Sequence, residues 1–85
     1  MRLLATEDGL VKACVLIRVR PGQHYSVAEK IGSFEGVKFA FPVVGNADVV
    51  VSIEVRDMKA LAALGTKIGD LPGVVIAETL VTAEA

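Results

Sequence analysis

The stretch Val37-Lys38-Phe39-Ala40-Phe41-Pro42-Val43-Val44-Gly45-Asn46-Ala47-Asp48-Val49-Val50-Val51-Ser52-Ile53-Glu54-Val55 holds two β-rich runs separated by a glycine and an asparagine. A two-residue Gly45-Asn46 link suits a primed turn with positive φ, so the runs 37–44 and 47–55 are predicted to form a tight hairpin. Pro42 lies inside the first run and has no N–H to give to a ladder, which places that strand at a sheet edge and leaves the other free to be interior.

Working outward, residues 12–20 alternate Ala13, Val15, Ile17 and Val19 against Cys14, Leu16, Arg18 and Arg20, the period of a strand, and Pro21-Gly22 ends it. His24, Val27, Ala28 and Ile31 then recur at helical spacing, with Gly32 and Gly36 marking the end. Beyond the hairpin, Asp57 is placed to cap a second helix whose apolar stripe is Met58, Leu61, Leu64 and Ile68, ending at Gly69. Gly65 within it costs about 1 kcal/mol relative to alanine unless a close contact offsets that. A last strand is read over 74–82.

The order is βαββαβ. Each half is a strand-helix-strand unit with a glycine before its final strand, in Glu35-Gly36-Val37 and Pro72-Gly73-Val74. This is the split βαβ, ferredoxin-like plan of an α+β domain. Right-handed crossovers give an antiparallel sheet in the order 4-1-3-2 with both helices on one face. The domain is read as residues 11–82, with 1–10 as an N-terminal extension and 83–85 as a tail.

With Val15, Ile17, Val49, Val51 and Ile53 under the helices, the other face displays Leu16, Arg18, Val50, Ser52 and Glu54, with either Ala40 and Val44 or Phe39 and Phe41 from the edge strand. That face is too apolar for water, and it is read as charge-paired through Arg18 and Glu54. Leu16, Arg18, Val50 and Glu54 are therefore expected at a subunit interface, in a face-to-face dimer of the dimeric α+β barrel type. The composition agrees: 53% of 85 residues are apolar, more than a chain this short hides in a monomer.

Charge narrows the function classes. The formal net charge is −1 and the basic residues are scattered, which argues against direct nucleic-acid binding. The lone Cys14 cannot form an internal disulfide, which suits a cytoplasmic setting, and two early acids, Glu7 and Asp8, break up any export signal. No apolar run reaches the roughly 20 residues of a membrane helix. Cys14 reads as a small apolar filler and His24 as a partly packed residue without a catalytic partner. The acids form no ligand cluster, so no metal and no cofactor is implied. Gly45-Asn46-Ala47-Asp48 is the one short motif able to carry function. A glycine turn exposes amides that can hold a carboxylate, and the acid after it can accept an ammonium. On the residues alone, an ordinary hairpin turn is the favoured explanation, because Gly-Asn occurs in very many hairpins.

The segments 13–22, Val27-Ala28-Glu29-Lys30, Glu35-Gly36-Val37, 45–51, Leu71-Pro72-Gly73-Val74 and Glu78-Thr79 together resemble the effector domain of Lrp/AsnC-type transcriptional regulators over about residues 11–82. Gly45-x-x-Asp48 and Glu78-Thr79 are the strongest marks. The resemblance implies a ligand module whose sheets pair into dimers and whose dimers form rings. A small amino-acid-like effector would lie between dimers, near Gly45, Asn46, Ala47 and Asp48, with Thr79 adding a polar contact. Family members carry a helix-turn-helix domain before this module. Residues 1–10 offer at most a strand or tail, so the chain looks like a stand-alone effector module whose partner could be a full-length Lrp/AsnC regulator. Family members often have a hydroxyl residue before the glycine and an aromatic before the aspartate, where this sequence has Val44 and Ala47. The residues also admit a cofactor-free oxygenase of the dimeric α+β barrel type, an ACT-like amino-acid sensor, or a purely structural co-assembly partner. Against the oxygenase stands the scarcity of titratable groups on the apolar sheet face.

Overall fold

The computed structural model describes residues 9–83; the first eight residues of the predicted extension and the last two of the tail lie outside the described residues. The elements run β1 (Val11–Val19), α1 (His24–Gly32), β2 (Val37–Pro42), β3 (Val49–Val55), α2 (Met58–Gly69) and β4 (Val74–Val81). The four strands form one antiparallel sheet in the order β2-β3-β1-β4, which is the expected 4-1-3-2 read from the other edge.

One face of the central pair makes the core. Val15 pairs with Val51, and Ile17 with Val49, so the apolar rows of β1 and β3 lie side by side. Val27, Ala28 and Ile31 of α1 and Leu61, Leu64 and Ile68 of α2 close over them, and every one of these residues is buried. The alternation that defined the strands is thus the alternation of burial. Asp57 caps α2, its carboxylate accepting the Ala60 N–H at 2.7 Å. Gly36 and Gly73 enter β2 and β4 with φ of +95° and +97°, a region that favours glycine. A Cβ on Gly36 would also stand 3.0 Å from Val55 Cγ1 and 3.2 Å from Leu64 Cδ2. The repeated glycine is the hinge by which each helix hands the chain back to the sheet.

Three expectations change, and Gly65 keeps its cost. Met58 is exposed rather than part of the buried stripe, and lines a shallow groove between α2 and β4. No close contact offsets Gly65, since a Cβ there would meet nothing nearer than Thr79 Oγ1 at 3.9 Å. The hairpin link is longer than two residues. Regular pairing stops at Pro42↔Val49, where proline has no N–H to continue the ladder, and residues 43–48 form the connection, closed by Val43 N–H to the Asp48 carbonyl at 2.9 Å. Gly45 alone in it has positive φ, 143°; Asn46 does not, so this is no primed turn. Finally, Arg18 and Glu54 do not pair: the register that sets Leu16 opposite Val50 sets Glu54 opposite Lys12, at the far end of the sheet from Arg18.

The register also decides which edge residues join the uncovered face. A bulge between Val37 and Phe39 turns Ala40 towards Val51 and the core and puts Phe39 and Phe41 beside Ser52 and Val50. Their rings stack with centroids 5.5 Å apart. Ile53 is fully buried in the core row and Val44 fully exposed. Ile53→Ala should cost roughly 2–5 kcal/mol in urea unfolding through the cavity it leaves, whereas Val44→Ser should stay within about 0.5 kcal/mol.

Candidate functional site

The 43–48 connection lies against the C-terminal end of β1, and Asp48 fastens it there. Its N–H donates to the Ile17 carbonyl at 2.8 Å, and its Oδ2 accepts the Val19 N–H at 2.8 Å. The carboxylate therefore supplies the partner that Val19 would otherwise lack as β1 leaves the sheet. Its Oδ1 stands 3.2 Å from His24 Nε2 at the start of α1, and Arg18 Nε lies 4.0 Å from Oδ2. Arg18 Nη1 also donates to the Asn46 carbonyl at 2.9 Å. One acid thus draws β1, α1 and the hairpin connection together.

The cluster is layered. The Asp48 side chain is only 16% exposed, His24 is 36% and Arg18 52% exposed. The Val19 N–H bond, followed by the nearby charges of Arg18 and His24, lowers the Asp48 pKa from its ordinary value, against the opposing effect of partial burial. The ionised carboxylate is the form the fold holds. Among the described residues no group of three or more His, Cys, Asp or Glu could hold a metal, and no helix is long and apolar enough to cross a membrane.

The expected site residues fall in two places. Gly45, Asn46, Ala47 and Asp48 are together in the connection. Thr79 lies on the helix-facing side of β4, in a shallow groove with Met58, Leu61, Gly65, Thr66 and Val81 that none of those four residues lines. A single chain does not bring Thr79 and Asp48 into one pocket. Arg18 and His24 were missed as partners of Asp48. The signal for Arg18 was its place at the end of β1, but His24 is 24 positions from Asp48 and nothing in local pattern links them.

The expected interface residues share the uncovered face. Leu16, Val50 and Phe41 form one row across three strands, and Leu80, Cys14, Ser52 and Phe39 the next. Phe39 and Leu80 are about half exposed, so the face is apolar over all four strands. Glu54 lies at one end of it and Arg18, bent towards Asn46, at the other.

The molecule thus combines a ferredoxin-like sheet that has one bare apolar face with a glycine connection tied down at its rim. Comparison with known proteins names the class. Residues 12–85 match the Lrp/AsnC ligand binding domain, and the chain belongs to that family. It is 29% identical over 69 residues to the HTH-type transcriptional regulator FL11 of Pyrococcus abyssi, a match covering 81% of this chain and 46% of that protein. The chain thus spans about half the length of that regulator. Among solved structures it resembles TTHA0845 from Thermus thermophilus, 32% identical with a TM-score of 0.83, over 88% of this chain and 95% of that one. It shares its fold with the transcriptional regulator NMB0573 of Neisseria meningitidis, solved as an L-Met complex, at 19% identity and a TM-score of 0.74 over 99% of this chain and 57% of that one.

The lowered Asp48 pKa has a stability consequence with a definite sign. An acid ionised more readily in the folded state contributes in full above its unfolded pKa, and that contribution is lost as pH falls through the lower folded value. Asp48→Asn should therefore lower the melting temperature near pH 7, and the gap to wild type should close below about pH 4. Thermal melts followed by circular dichroism between pH 2.5 and 7 would read it; a gap constant over that range would contradict it.

Proposed function

We propose that the chain is an effector-binding and self-assembly module of the Lrp/AsnC type, which takes a small amino-acid-type effector at a boundary between protomers and acts on transcription through a DNA-binding partner. The observation that carries this reading is the match of residues 12–85 to a ligand binding domain in a fold whose sheet has one uncovered apolar face. The L-Met bound to NMB0573 supports an amino acid as effector class.

Assembly follows from the uncovered face. Leu16, Val50, Phe39 and Phe41 would form the centre of a face-to-face dimer, with Arg18 and Glu54 at opposite rims. Thr79 and the 45–48 connection belong to different surfaces of one chain, so a site that uses both joins neighbouring copies, and the assembly is a ring or another arrangement of dimers. A full-length Lrp/AsnC regulator is the natural further partner, in a cytoplasmic setting. The role is binding rather than catalysis: in the cluster of Arg18, His24 and Asp48, the carboxylate that would serve as a base has both oxygens engaged within the chain. A net charge of −1 supports the view that these 85 residues do not themselves hold DNA.

Three outcomes are expected. Light scattering at micromolar concentration should give at least a dimer, and Val50→Asp should reduce it to monomer by burying a charge without a partner. Native mass spectrometry with a pool of amino acids should show a retained amino-acid mass on the oligomer. The 85-residue chain should produce no sequence-specific gel shift at physiological salt.

A further inference from the structure

Asp48 is the least exposed member of its cluster, and both of its oxygens already have partners within the chain: the Val19 N–H on one, His24 Nε2 on the other. The groups that remain open to solvent around it are cationic or donors. Arg18 uses one N–H on the Asn46 carbonyl and keeps the outer part of its fork free. With His24 Nε2 engaged on Asp48, Nδ1 is the ring nitrogen left for another partner, and no hydrogen bond to it occurs among the described residues. The amides of 44–47 make no backbone hydrogen bonds among the described residues either. Of the charged or titratable groups nearby, Arg18 and Arg20 come from β1 and its exit, Asp48 from the connection, and Glu78 from β4, where it faces Leu16 across the ladder while Arg18 faces Ile76. Tyr25 follows on α1, whose first turn holds no acid. An ammonium arriving at the connection would meet Arg18 and would find both Asp48 oxygens already engaged.

We propose that Arg18 and His24 form the anion-receiving half of the effector site and take the effector's α-carboxylate, with Asp48 as the positioning residue that holds them from beneath. This rests on the reading that the effector binds beside the 45–48 connection. It reverses the polarity expected from the motif alone, in which Asp48 would hold the ammonium. Arg18 gives a planar fork suited to a carboxylate, fixed at one end by the Asn46 carbonyl. Neutral His24, donating through Nε2 to Asp48, offers at Nδ1 only a lone pair, which a carboxylate avoids; protonated, it offers an N–H. Carboxylate binding by His24 therefore takes up a proton, so affinity rises as pH falls.

The experiment uses the 85-residue protein with the twenty L-amino acids and their α-carboxamides, screened by thermal shift and followed by calorimetric titration between pH 6 and 8. The amino acid that binds should lose about tenfold or more in affinity as its carboxamide, and about the same through Arg18→Gln, with partial recovery in Arg18→Lys. Wild-type affinity should rise towards pH 6, and His24→Gln should abolish that slope while light scattering shows the oligomer unchanged. Equal affinity for acid and amide, indifference to Arg18→Gln, or affinity that rises with pH would overturn the proposal while leaving amino-acid sensing in place. If no amino acid and no amide binds at any pH, the effector reading falls, and this proposal with it.

Discussion

Two helices can cover only one side of a four-stranded sheet, and most of this molecule follows from that limit. The helices lay their apolar stripes on the row that runs through Val15, Ile17, Val49, Val51 and Ile53. Because side chains alternate along a strand, burying this row obliges Leu16 and Val50 to face the other way, where no element among the described residues covers them fully. The edge strands inherit the same division: the bulge in β2 lets Ala40 serve the core while Phe39 and Phe41 serve the bare face. A protein of this size could have made that face polar; instead it carries stacked aromatic rings. The ferredoxin-like plan here leaves one apolar face of its sheet without a cover among the described residues.

The architecture was readable because its signals are local. Alternation in 11–19 and 49–55, the capping Asp57, the paired Glu35-Gly36 and Pro72-Gly73, and Pro42 as the mark of an edge each concern a residue and its near neighbours. What could not be read was whatever depends on register between strands or on a side chain crossing between elements. Arg18 and Glu54 look like partners when two strands are merely known to be adjacent; their separation appears only once Leu16 is fixed opposite Val50. The hairpin link looked like a two-residue turn because Val43, Val44 and Ala47 are good strand residues. Its true span is dictated by the missing N–H of Pro42 and by Asp48 leaving the regular ladder to reach Val19.

The candidate site shows the same contrast. Gly45-x-x-Asp48 could be singled out from sequence as a place where chemistry gathers, yet the chemistry expected of it was that of free groups. In the folded chain the carboxylate is a structural tie, and the groups it leaves facing outward come from β1 and α1. A motif names the residues that are brought to one place. It does not say which of them faces the visitor and which serves the others, since that is decided by the order in which donors and acceptors inside the protein find each other.

The placement of β1 has a consequence for how the chain comes to its native state. This strand precedes the other three and sits between β3 and β4, and β4 follows them all, with Ala13 facing Val81. Until residues 74–81 have been made, β1 can be paired on one side only. The β3 side is reached by closing a shorter loop and is therefore the earlier step, and β4 must then dock across all the elements between it and β1, the slower kind of closure. During that interval an uncompleted edge lies next to the bare apolar face, so a nascent chain exposes both at once. Docking of β4 closes that edge, and with it the route by which unfinished chains could pair with one another.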